Sequence, residues 1–156
     1  MGAKMTTREQ KIAAKVAQFA GIAEVEVAAA LNAPDTSLPT KRSDVTTYDA
    51  REILLSTGEW GTVILAAENA EVPQHVRGAC IVLRDAIIQT TTIRISIPQI
   101  YNATANLLGG LVAAGILTDG TRNVLMALAD VYQSWAEVEE VGAVTTRDVG
   151  IARGNI

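Results

Sequence analysis

An all-α fold is predicted for this chain of 156 residues: a compact multi-helix domain with an αα-hairpin and one short extended segment near residues 90–97. Three observations predict it. Apolar residues recur at three- and four-residue steps over most of the length. Several of those stretches are preceded by a Ser, Thr or Asp with a Glu or Gln three positions on, the spacing of a capping box. Only residues 90–97 leave the helical period and alternate. The composition agrees: 49% apolar against 19% charged residues is globular rather than disordered. Aromatics are only 4%, so the core must be packed from small and branched aliphatics.

Taken in order, Thr6 and Glu9 start a first helix carrying Ile12, Val16 and Phe19, and Gly21 breaks it. A second helix is expected over 22–31, with Val27, Ala30 and Leu31 inward, ended by Asn32-Ala33-Pro34-Asp35. Residues 1–33 thus form an N-terminal helical pair. Residues 34–46, rich in Pro, Ser, Thr and Asp, read as a linker loop, and 47–156 as the main helical body. There Asp49 and Glu52 lead into Ile53-Leu54-Leu55, and Thr57-Gly58 interrupts. The next helix, over 59–69, carries Trp60, Val63, Ile64 and Ala67. Pro73 opens a helix with Val76, Cys80, Leu83 and Ile87 on one face.

Ile93, Ile95 and Ile97 then alternate with Arg94 and Ser96, as in a short strand. No second strand is expected to pair with it internally. It is read as an extended connector, or as an edge that pairs with another chain. Ser96, Pro98 and Gln99 start the helix of Ile100, Ala103, Leu107 and Leu111. Gly109-Gly110 inside it costs roughly 1 kcal/mol per glycine against alanine, which suggests a close helix contact or a kink. The hairpin spans 107–132, with Thr118 or Asp119 capping its second arm. Ser134 and Glu137 cap a short helix holding Trp135. Thr145 or Thr146 caps the last one.

Several function classes are disfavoured. The net charge of −4 repels phosphate backbones, so general nucleic-acid binding is not expected. Cys80 is the only cysteine and lies among apolar neighbours, so it reads as a core residue and no internal disulfide can form. His75 is the only histidine, so neither a triad nor a histidine-rich metal site can be built. Glu137, Glu139 and Glu140 read as a solvated acidic turn rather than a Mg²⁺ or Ca²⁺ site. No phosphate-binding glycine motif occurs. Trp60 and Trp135 are read as packing anchors. Residues 1–10 hold no apolar signal core, and no run of about 18 apolar residues predicts a spanning helix. No cofactor, metal or catalytic residue is expected, and no enzyme.

The second half of the chain carries a resemblance. Leu111-Val112-Ala113-Ala114-Gly115-Ile116-Leu117-Thr118 is followed by Leu125-Met126-Ala127-Leu128-Ala129. Then come Ser134-Trp135-Ala136-Glu137, Gly142 and Val144-Thr145-Thr146-Arg147-Asp148-Val149. Ala28-Ala29-Ala30-Leu31-Asn32-Ala33-Pro34 matches near the start. This order resembles small structural and accessory proteins of tailed bacteriophages, encoded among the tail proteins, and covers roughly half of the chain. The resemblance implies a tail-associated virion protein, assembled in the host cytoplasm. It also implies other virion proteins and copies of this chain as partners; no membrane partner is expected, from the lack of a long apolar run. The candidate interface residues are Ile93, Ile95 and Ile97 on the extended segment. Lys4, Arg8, Lys11 and Lys15, at three- and four-residue steps, form a second candidate face. That basic face also supports the alternative, a small DNA-associated packaging or regulatory protein.

Overall fold

A computed structural model describes residues 4–155. The described residues are predominantly helical, with two small two-stranded sheets beside the helices. In chain order, α1 is Thr7–Val16, followed by a 3-10 turn at Ala17–Phe19, and α2 is Glu24–Asn32. Strands β1 (Thr40–Arg42) and β2 (Val45–Thr46) lead into α3 (Thr47–Thr57), α4 (Glu59–Glu68) and α5 (Gln74–Gln89). Then come β3 (Thr92–Ile93), α6 (Pro98–Ala113), α7 (Asp119–Ala127), β4 (Asp130–Tyr132), α8 (Trp135–Val138) and α9 (Thr146–Ala152).

These elements fall into two compact units. Unit 1 is discontinuous and joins residues 1–40 to residues 132–156, and unit 2 is the continuous stretch 41–131. The sequence boundaries near 33 and 46 follow composition, and the units divide the chain differently. Residues 132–156, assigned from sequence to the main body, pack with the N-terminal helices. The reason is core chemistry. Ala136, Val141, Val144 and Val149 have their buried counterparts in Ile12, Val16, Val27, Ala28 and Leu31.

In unit 1 the local signals act as expected. Thr6 and Glu9 form a capping box at α1, Ser134 and Glu137 one at α8, and Thr145 and Asp148 one at α9. Each satisfies backbone donors that a helix start leaves open. In α2 the buried positions are Val27, Ala28 and Leu31; Ala30 faces solvent.

Unit 2 is built from α3 to α7, with α4 and α5 packed most extensively and α3 in contact with α4, α5 and α7. Leu54, Val63, Cys80 and Leu111 are completely buried at its centre. Gly58 ends α3 and begins α4 at φ 78°, a left-handed conformation that glycine adopts without the penalty of a Cβ. The glycine pair of α6 has a different setting from the close helix contact suggested above. A Cβ at Gly110 would meet nothing within 4 Å, and one at Gly109 would touch only the Arg122 guanidinium at 3.6 Å. The second arm of the hairpin ends at Ala127, and Val131 and Tyr132 lie on β4, exposed, instead of continuing a helix face.

The extended segment finds an internal partner, contrary to expectation. β2 pairs antiparallel with β3, with Val45 opposite Ile93 and Thr46 opposite Thr92. The loop read as a linker therefore supplies the strand. The Thr47 hydroxyl adds a bond to the Thr90 carbonyl. Two caps also differ from the spacing. α3 is capped by Thr46, one turn before Asp49 and Glu52 would place it. Ser96 does not cap α6, because its N–H and hydroxyl both donate to Asp44.

Candidate functional site

The candidate interface residues take up distinct positions. In unit 2, Ile95 is buried at 3% exposure with Val45 and Ala129, and Ile93 packs partly buried against that cluster. Ile97 is the partly buried residue preceding α6. A free apolar edge of three isoleucines is thus replaced by a strand pair over a small core. Only Thr92 and Ile93 of the segment are strand; Ile95 and Ser96 lie in a turn, with the Ile97 N–H donating to the Arg94 carbonyl at 3.1 Å, and Ile95 is buried in this chain's own core.

The basic row also resolves differently. α1 begins at Thr7, so Lys4 lies before the helix and stays exposed outside the row. Arg8 turns to the residues of the opposite chain end. Its Nη1 and Nη2 meet the two Asp148 carboxylate oxygens at 3.0 Å each. Its Nε donates to the Val141 carbonyl at 2.7 Å and Nη2 to the Ala143 carbonyl at 3.2 Å. A planar guanidinium with fixed donors suits such a fork and two carbonyls at once. Lys11 donates to the Glu139 carbonyl at 3.0 Å and lies 3.5 Å from its carboxylate. Lys15 donates to Gln18 at 3.1 Å. Arg8 and Lys11 thus tie α1 to residues 139–148, Lys15 bonds locally, and the four do not present a uniform cationic face.

Asp148 is the most perturbed group. The Arg8 hydrogen bonds hold its carboxyl well below the usual carboxylate range, against the opposing effect of partial burial, and the N–H and hydroxyl of Thr145 add to the depression. Asn32 is a second tie. Its side-chain amide donates to the Ala28 carbonyl at 2.8 Å and the Val144 carbonyl at 2.7 Å, and accepts from the Val144 N–H at 2.8 Å. Asn32 was read only as a helix terminator, and no local signal in the sequence ties it to Val144.

The remaining chemistry-bearing residues are plainly placed. Cys80 is fully buried, and burial pushes its thiol up. His75 is exposed beside a groove of about 560 Å³ that Val76, Gly110 and Ile116 also line. Glu137 and Glu140 border a second groove, of about 410 Å³, with Asn32 and Ser134. Among the described residues no three His, Cys, Asp or Glu side chains gather as a metal-binding set. No described helix is long and apolar enough to cross a membrane.

The apolar surface is the feature left over. Leu65 on α4 is 71% exposed, and Leu55, Val82 and Ile88 on α3 and α5 each exceed half exposure. In unit 1, Val25 on α2 is 62% exposed. Comparison with protein-family models, curated proteins and solved structures finds no match to this chain.

Proposed function

We propose that this chain is a structural or accessory protein of a tailed-bacteriophage virion, tail-associated, working through contacts with other virion proteins and with copies of itself. Two things support the reading. One is the likeness, over roughly half of the chain, to small tail-region phage proteins. The other, which carries it structurally, is the exposure of long aliphatic side chains on helices whose opposite residues are buried in the core of unit 2. Burying a leucine such as Leu65 against a neighbour is worth about 1.5–3 kcal/mol, a gain the isolated chain forgoes. Scattered apolar residues are ordinary on a surface. Four of them on three successive helices of one unit are what a subunit that completes its burial on assembly would carry.

The test is to look for the chain in particles. Purified virions from cells expressing it should contain it at a fixed stoichiometry, and the variant Leu65→Lys with Val82→Lys should fold yet drop out of the particle. If the native chain stays in the lysate while complete particles form without it, the virion reading fails.

A further inference from the structure

The core of unit 2 is not continuous. Its main cluster, around Leu54, Cys80 and Leu111, is separate from a smaller one of Val45, Ile95 and Ala129, and the partly buried Met126 and Leu128 pack against both. A pocket of about 40 Å³ lies where the two clusters meet. Ala50, Leu54, Ile87 and Leu108 line it from the main cluster, and Val45 and Ile95 from the smaller one. The lining is buried except at Ile93, Thr104 and Met126, which are half-buried and mark where the pocket reaches the surface.

Two observations decide what such a pocket can hold. Its surface is almost wholly apolar, and its one polar side chain, Thr104, donates its hydroxyl to the Ile100 carbonyl of its own helix at 2.7 Å. A water needs roughly 10–15 Å³ and about two to four polar partners, so there is room for water here but nothing to hold it. The space also persists beside residues that could close it. Met126, of the residue type that adapts to irregular gaps, borders it, and Ala50 stands where a longer aliphatic would fill it. Protein interiors otherwise hold few voids larger than a water molecule. A dry apolar hollow with an accessible rim gives dispersion contacts to a guest that has no hydrogen-bonding group to satisfy.

We infer that this pocket is a binding site for a small uncharged apolar ligand, a short alkyl chain in chemical class, entering between Ile93, Thr104 and Met126. None of its lining residues is among the exposed aliphatics that carry the assembly reading, so the two stand or fall separately.

Xenon and propane are the test ligands. In methyl NMR spectra of the full chain, the Ile87, Ile95, Leu108 and Met126 methyls should shift saturably as either gas is added. Those of Val27, Leu31 and Val149 in unit 1 should stay in place. Absence of a saturable shift at the lining methyls, or shifts of equal size in both units, overturns the inference. Ala50→Val and Ala50→Leu fill the pocket from its wall, and the leucine should weaken xenon binding by about tenfold or more. Native affinity in the folded leucine variant overturns the assignment of the site, and the valine variant gives the same reading where leucine cannot be accommodated. Thr104→Val removes the one hydroxyl of the lining at nearly constant volume. It should bind xenon at least as tightly as the native chain. Weaker binding there would mean a polar, hydrated pocket and overturns the apolar ligand class.

Discussion

Arg8 and Asp148 lie 140 positions apart and form a two-pronged ion pair, 3.0 Å on each prong, within unit 1. The same guanidinium reaches the Val141 and Ala143 carbonyls, so one side chain fixes both the start of α9 and the turn before it. With Arg8 about 40% exposed, the charge attraction itself is screened, and the geometry contributes more than the charge.

This pair gives unit 1 a defined acid sensitivity. The Asp148 carboxyl titrates lower when folded than the roughly 3.9 of an unfolded aspartate. Its contribution is therefore fully present above about pH 4 and is lost as pH falls from there toward the folded value. Asp148→Asn should cost about 1–2 kcal/mol at neutral pH, through the lost cap and charged hydrogen bonds. It should also flatten the fall of the thermal midpoint between about pH 4 and pH 2. An Asn variant that keeps the native acid profile would place the sensitivity elsewhere.

Asn32→Ala leaves the Val144 N–H and carbonyl without their side-chain partner. The expected loss is about 1–3 kcal/mol, because the backbone groups of a buried residue are left unmade. Hydrogen exchange at the Val144 amide should accelerate more than at amides of unit 2, which isolates this cause from general destabilisation.

Gly110→Ala should stabilise the chain by about 0.5–1 kcal/mol. The position lies inside α6, and its Cβ would enter open space. The check is a denaturant titration at unchanged slope. A destabilised alanine variant would mean that the glycine is needed for a conformation other than this helix.

Ile95→Ala should cost about 2–4 kcal/mol, as for other fully buried aliphatics. Ile95→Asp should unfold unit 2 outright, since its charge would sit among Val45 and Ala129 without a partner. Loss of assembly in that variant would therefore say nothing about an interface. Urea midpoints of the two variants settle the assignment.

What was legible in the sequence is local. Thr6 with Glu9 and Ser134 with Glu137 announce their helices because the capping groups are three residues apart. Val76, Cys80, Leu83 and Ile87 announce a buried face because one helix carries them all. What was hidden is pairing over distance. Val45 and Thr46 sit in a stretch whose composition reads as linker, and only the fold brings them opposite Ile93 and Thr92. Arg8 was visible as one of a row of cations. Its partner Asp148 stood out only as part of the run that carries the resemblance, and no periodicity connects the two ends of a chain. The mostly helical class survives these gaps because it depends on short-range spacing.

The scarcity of aromatic residues leaves each unit with a single tryptophan. Trp60 packs partly buried against the core of unit 2, and Trp135 against that of unit 1. Replacing either one with phenylalanine yields a protein whose ultraviolet emission reports on the other unit alone. The order in which the two halves melt can then be watched by fluorescence, with no label attached.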